Sequence, residues 1–511
     1  MTMTEIRLHE PIVRGNAVDF AWTISPDNGF YLDPRFTLEF PESVRVSDVP
    51  EGAWLRVMLI CLYSHWSVLR PCRVVLPRRL PEGEREFWLR MVDAGVWTLE
   101  NDQDAPGGPS YAERTARVVE LIETGPPVGP LGPVPDNGSV VASFSGGRDS
   151  LTQAAMLHEL GVEPLLVTTT SKREGSLEFE TARFRKVLAE TQARTGLEHV
   201  EVRSDIRTSF SNNHPLVARY GMAASELTDT LLYFAVAWAT GCARGATAVF
   251  LACEAEAQES IRRDGMVVQI EHFGFTAAVQ RALSALVEPS GVEYTGLTAS
   301  LEHFQIQRIL DLRYPDLRDL QYTCYSQKPG EDVCSNCFSC LKAALHKMSD
   351  GTAPSEIAID LNRVLDARSD WSPVDDGEKR RGSVGQRYGD RMNGHLVRVL
   401  RELDEDRVSE FAPGGELTAP AQAGLQKLRA AAFAAPDPSA EPGYRAGFLE
   451  LTSEPLRSDL ETIISEHFSA ETPAHYADLL DNTRLLSDWI AAPLRSGQDR
   501  VQHVSCSTNP L

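Results

Sequence analysis

The spacing of apolar positions changes along the chain, and the clearest change lies between residues 140 and 252. Short β-prone runs near 140–144, 164–169, 198–203 and 247–252 alternate with helical patterns over 150–160, 176–195 and 225–240. That alternation predicts βαβ units, and so an α/β fold with a doubly wound, mainly parallel sheet covered by helices on both faces. Ligands of such sheets bind beyond the carboxyl ends of the strands, which directs attention to the loops after Phe144, Thr169, Val202 and Ala252.

The flanking patterns differ. Residues 1–123 combine segments such as FYLDPRFTLEF and WLRVMLICLYSHWSVL with Pro-rich connections such as VLPRRLPEG, which predicts a β-rich or α+β N-terminal domain. Its Trp54, Trp66, Trp88 and Trp97 read as core, and Cys61 and Cys72 as buried structural thiols. Residues 124–137 (TGPPVGPLGPVPDN) form a Pro/Gly linker stiff enough to hold that domain in place. A central domain spans 138–350. Helical patterns over 385–410, 420–434 and 454–492, broken by FAAPDPSAEPGYRAG, predict a mostly helical C-terminal domain at 351–511. The polar tail carries Cys506, expected as an exposed thiol.

The 511 residues, 42% of them hydrophobic, suffice for about three packed domains. A formal charge of −22 argues against free nucleic acid as the general partner. No stretch has the form of a signal peptide, and no apolar run approaches the ~18 residues of a membrane span, so a cytoplasmic protein without membrane contact is expected. Four of the nine cysteines crowd into 324–340, which in that compartment suggests metal before disulfide.

Candidate chemistry begins where the first central strand ends, in Ser143-Phe144-Ser145-Gly146-Gly147-Arg148-Asp149-Ser150. Adjacent glycines let an anion approach the backbone, and the following helix offers unpaired N–H groups and the positive end of its dipole. The spacing is neither the Walker loop, which needs a lysine, nor the dinucleotide G-x-G-x-x-G. Beyond the second strand stand Lys172 and Arg173, and beyond the third Arg203 and Arg207, either stabilisers of a leaving anion or solvated surface. After the fourth strand comes the acidic CEAEAQES of residues 253–260, where Glu254, Glu256 and Glu259 could bind Mg²⁺ or a substrate's amino groups, or could simply open a helix. Cys324, Cys334, Cys337 and Cys340 form C-x₉-C-x₂-C-x₂-C. Two-residue gaps let thiolates converge on one ion, and four of them close a tetrahedral shell, so structural Zn²⁺ is expected. The bacterial iron–sulfur run C-x₂-C-x₂-C-x₃-C-P is not reproduced.

The hexapeptide S-G-G-R-D-S resembles the pyrophosphate-binding PP-loop of the ATP pyrophosphatase superfamily, whose Rossmann-like members cleave ATP between the α and β phosphates. The resemblance implies that residues 143–150 bind pyrophosphate, with Ser145, Asp149 and Ser150 catalytic and Asp149 positioning phosphates or Mg²⁺. It places the adenosine at the end of the second strand, near Thr168 and Thr169. With the cysteine pattern and the segment 294–323 added, residues 138–350 resemble the 7-cyano-7-deazaguanine synthase (QueC) family. That family uses ATP to adenylate the carboxylate of 7-carboxy-7-deazaguanine and then adds ammonia to form the amide and the nitrile. Relatives occur in bacterial anti-phage systems, and that resemblance implies a protein amine in place of ammonia as an alternative acceptor. The family's Asp-Tyr-Ser-Gly-Tyr substrate loop is absent here, with CEAEAQES in its place, and the flanking domains are extra. Two other readings compete. A tRNA-thiolating enzyme would need a reactive cysteine near ATP, for which Cys253 is the candidate; a nucleotide-binding scaffold would need no turnover.

Overall fold

Eleven strands hydrogen-bond into one mixed, mostly parallel sheet that runs straight through the expected boundary between the first two domains. The computed structural model describes residues 3–101, 108–172, 178–220, 222, 224–270, 274, 276–324, 333–367, 385–435 and 441–505. In chain order the strands are β1 (Thr4–Leu8), β2 (Ile12–Arg14), β3 (Ala17–Ser25), β4 (Arg35–Glu39), β5 (Cys72–Leu76), β6 (Val119–Glu123) and β7 (Ser139–Ser143). There follow β8 (Leu165–Ser171), β9 (His199–Ser204), β10 (Ala246–Phe250), the hairpin β11 (Ser260–Arg263) and β12 (Met266–Gln269), and β13 (Glu293–Thr295).

Across the sheet the order is β13-β10-β7-β8-β9-β4-β3-β1-β5-β6, with β2 on β3. The first five strands are mutually parallel, and they include the four read from the sequence. β9 then meets β4 antiparallel, with Leu38 opposite Ser204 and Glu39 opposite Arg203, and β1, β5 and β6 are again parallel to one another. The N-terminal region therefore extends the central sheet instead of forming a separate one. The linker is fastened at both ends: Val128 N–H donates to the Arg79 carbonyl at 2.7 Å and Asn137 N–H to the Gly245 carbonyl at 3.0 Å.

One segment corrects the sequence reading. WLRVMLICLYSHWSVL, expected to be β-prone, lies in the helix Glu51–Leu69. Every residue of that helix except Glu51 is buried, because it packs against the helices Glu84–Glu100 and Asp229–Arg244. A helix covered on all sides keeps no polar face, so its sequence loses the 3.6-residue period that would identify it. Trp54, Trp66 and Trp88 are buried as expected, as are Cys61 and Cys72, while the partly buried Trp97 stacks on Trp489 with ring centroids 4.7 Å apart.

The C-terminal region is helical and divides between two places. Helices Leu361–Ala367, Gly385–Glu402 and Ala419–Ala434 share a core with the helix Phe338–Ser349. The helices Glu454–Ser465 and Ala477–Ser505, which replace the single pattern over 454–492, turn back onto the sheet layer: Leu460 and Ile464 join the core beside β7, and Ile490 joins the N-terminal core. Cys506, Arg173 and the segment between Cys324 and Cys334 at 325–332 lie outside the described residues. No helix among the described residues is long and apolar enough to cross a membrane.

Candidate functional site

β7 lies between β10 on one side and β8 on the other, so the connections leaving β7 and β10 diverge, the place where open α/β sheets form their ligand crevice. The glycine loop follows β7 there and the acidic loop follows β10. Gly146 takes φ +68°, and a Cβ there would stand 2.7 Å from Val187 Cγ1, so both conformation and space demand glycine. The helix Arg148–Glu159 starts at Gly147 with no side-chain cap, leaving its first N–H groups without that partner. Ser150 Oγ accepts from the Ser145 N–H at 3.2 Å, lies 3.3 Å from Ser145 Oγ and donates to the Gly147 carbonyl at 3.2 Å. The loop is thereby curled around its own hydroxyls, a concave arrangement suited to phosphate oxygens.

Arg148 is buried and reaches Asp149 Oδ1 with Nε at 3.0 Å and Nη2 at 2.8 Å. Around this pair gather residues from distant parts of the chain. His303, first residue of the helix His303–Arg313, sets Nε2 3.2 Å from Glu254 Oε1 and Nδ1 3.4 Å from Glu256 Oε1, while its backbone N–H donates to the same Glu256 oxygen at 2.8 Å. Glu256 is 2% exposed, and burial, reinforced by Glu302 and Glu254, holds its carboxyl well above the usual range. Lys342, half-buried on the helix Phe338–Ser349, feels Arg148 together with Asp149, Glu256 and Glu254; loss of hydration and the Arg148 charge bring its ammonium down to about 8.

Of the acidic residues expected to read a substrate, Glu254 and Glu256 belong to this cluster. Glu259 is committed elsewhere: it pairs with Arg445, fully buried in the C-terminal loop, at 2.8 Å, and Arg445 also donates to the Ala255 carbonyl at 2.8 Å. Lys172 is paired with Glu39 at 2.5 Å, Arg203 with Glu39 at 3.6 Å and Arg207 with Asp229 at 2.9 Å, so these cations serve the seams of the fold. Thr168 Oγ1 donates to the Phe144 carbonyl at 2.6 Å, tying the second strand to the glycine loop, and Thr169 is buried beside it. Cys253 is buried with Sγ 3.8 Å from Gln280 Oε1, and burial pushes its thiol up to about 12, which suppresses the thiolate at neutral pH.

Cys324, Cys334, Cys337 and Cys340 bring one sulfur each within 4.8 Å of the others. Cys337 Sγ stands 3.4 Å and Cys334 Sγ 3.8 Å from Cys340 Sγ, and the N–H groups of Cys334 and Asn336 point at the sulfurs of Cys324 and Cys334. Hydrogen bonds from Cys324 and Cys340 pull the Cys337 thiol down, while the same contacts push Cys340 up. Four thiols already gathered, with N–H support, fit a tetrahedral thiophilic ion such as Zn²⁺. This centre adjoins the glycine loop. Tyr322, two residues before Cys324, donates its N–H to the Gly146 carbonyl at 2.9 Å; the Arg183 guanidinium stacks 3.3 Å from the centre of the Tyr322 ring and donates to the Cys324 carbonyl at 3.4 Å.

His303, Lys342, Arg445, Tyr322 and Arg183 were not singled out by sequence reasoning. Lys342 alone carried a local signal, as a lysine within the apolar run F-S-C-L-K-A-A-L. Compared with models of known protein families, with curated proteins and with solved structures, the chain has no match.

Proposed function

We propose that the protein is an ATP-dependent enzyme that forms AMP and pyrophosphate, activates a carboxylic acid as its adenylate and joins it to nitrogen. The observation that carries this reading is the glycine loop with its uncapped helix start, set beside a partly buried cluster of Arg148, Lys342 and carboxylates at the switch point of the sheet. In the reaction, a carboxylate oxygen of the substrate attacks the α-phosphorus while the bond to the bridging oxygen breaks, and pyrophosphate leaves with the electron pair. Negative charge grows on the leaving group, where backbone N–H groups and the hydroxyls of Ser145 and Ser150 can meet it without reorganising. Arg148 and Lys342 offer positive charge nearby, and Mg²⁺ carried by ATP would neutralise the phosphates next to Asp149. An amine nitrogen then attacks the acyl carbon and AMP departs, the nitrogen losing a proton as the amide forms. Zn²⁺ at the four cysteines would act structurally, since four thiolates leave no open position.

The acid we favour is 7-carboxy-7-deazaguanine. Glu254, with its carboxylate in the crevice, has the chemistry to accept from the N–H and amino groups of a guanine-like face. The acceptor is either ammonia or the amine of a partner protein in a bacterial defence setting; the large helical additions around the crevice favour a macromolecular one. Cys253, buried and held as a thiol, speaks against the thiolation reading.

Exchange of labelled pyrophosphate into ATP, assayed across candidate acids, tests both halves. Exchange with the deazaguanine acid is the expected result. Exchange with a different acid alone would overturn the substrate and keep the chemistry, whereas ADP and orthophosphate as primary products would overturn the reading of the loop.

A further inference from the structure

Asp149 in the first turn after the glycine loop, Glu254 beyond β10 and His303 at the head of its helix each bring one carboxylate or ring atom within 4.8 Å of the other two. These are one nitrogen and two oxygen donors, from three stretches of chain that share no local sequence pattern. Both guanidinium bonds from Arg148 fall on Asp149 Oδ1.

The surroundings of His303 point independently to a cation. Its Nε2 faces Glu254, and its other ring nitrogen lies 3.4 Å from Glu256 Oε1. That Glu256 oxygen accepts from the His303 backbone N–H at 2.8 Å, so the carboxylate fixes the head of the helix that carries the ring. Glu256 is 2% exposed, and its Oε2 has no hydrogen-bond partner among the described residues.

We propose that Asp149, Glu254 and His303, with one donor atom each, form a resident divalent-cation site, with Glu256 positioning His303 through its backbone N–H. A mixed nitrogen and oxygen donor set suits Mn²⁺ or Fe²⁺ better than Mg²⁺ or Ca²⁺, which prefer oxygen alone. Three protein ligands leave coordination positions for water or a phosphate oxygen, and because Asp149 belongs to the glycine loop, the ion couples that loop to the acidic loop after β10. The site fills without nucleotide and does not depend on the adenylation reading.

The test is a titration of the full-length, zinc-replete protein with Mn²⁺ alone, following free Mn²⁺ by electron paramagnetic resonance and bound Mn²⁺ by its nitrogen hyperfine coupling. About one tightly held Mn²⁺ per chain with a histidine-type nitrogen signal is expected. Glu254→Gln and His303→Asn should weaken binding at least tenfold, with the nitrogen signal lost in His303→Asn, and Glu256→Gln should weaken it by roughly 10–100-fold. Should His303→Asn fail to fold, the nitrogen signal of the unaltered protein and the affinity of Glu254→Gln decide. Mn²⁺ bound without nitrogen coupling, bound equally by these variants, or bound only after ATP is added would overturn the site. Absence of adenylation in the unaltered, Mn²⁺-loaded protein would instead count against the proposed reaction.

Discussion

Two clusters with the donor atoms to hold an ion adjoin the glycine loop, and they are built in opposite ways. The cysteine centre comes from one short stretch, 324–340, whose two-residue gaps almost dictate that the sulfurs meet. The Asp149, Glu254 and His303 cluster gathers residues from three stretches of chain and is braced from a fourth, where Arg445 holds Glu259 and approaches Glu302 at 3.5 Å. The first can form wherever its own turn forms. The second exists only once the sheet, the helix His303–Arg313 and the C-terminal loop are assembled, so it should be the more sensitive to distant changes.

The largest expected effect tests the local character of the cysteine centre. Native mass spectrometry should find about one Zn²⁺ per chain, and Cys337→Ser or Cys340→Ser should abolish it together with much of the soluble protein, because structural zinc contributes binding energy on the order of 10 kcal/mol. Zinc retained by either variant would show that the four sulfurs do not act as one site. A brown protein containing iron and sulfide would replace the zinc assignment altogether.

Next in size is Arg445→Met, which leaves Glu259 buried without its cation and should cost about 3–5 kcal/mol in chemical denaturation. Adding Glu259→Gln should recover part of that loss and leave the zinc content at its original value. Zinc loss in the single variant would mean that the two clusters are not independent.

For the glycine loop the expected effect is on rate. Ser150→Ala or Ser145→Ala should lower AMP formation by roughly 10²–10³-fold, the range seen when one donor to a developing anion is removed. The unfolding midpoint should hardly move. Tyr322 offers a sharper version, since Tyr322→Leu keeps the N–H that holds Gly146 while removing the ring beneath Arg183, and a smaller rate effect is expected.

The smallest effect concerns acid. His65 and His395 are buried, and burial lowers both from 6.5 to about 3. The unfolded chain therefore takes up protons first, so the stability gained by keeping each ring neutral is complete above pH 6.5 and drains away as the pH falls toward 3. One unit below 6.5 the loss is about 1.4 kcal/mol per histidine. His395 stacks on Phe304 at 4.2 Å and contacts His346 on the cysteine-bearing helix, so His395→Phe should keep the stack and flatten part of the pH dependence. An unchanged slope between pH 6.5 and 5 would show that His395 takes up its proton alike in the folded and unfolded chain.

Periodicity and turn chemistry by themselves determined the parallel strands β7 to β10, the helices between them, the glycine loop and the four cysteines. Each is a local pattern whose physical cause lies within a few residues: alternating hydrophobicity, a position that admits only glycine, a spacing that lets thiols converge. What only the tertiary structure decided involves long-range partners. The helix Glu51–Leu69 reads as strand because burial on every side erases its period. The continuity of the sheet rests on two register pairs between β4 and β9, which no composition shift announces. Glu254, Glu256 and Glu259 stand within six residues of one another, and the fold sends the first two to His303 and the third to Arg445, because burial forces each carboxylate to take whichever partner the packing brings near.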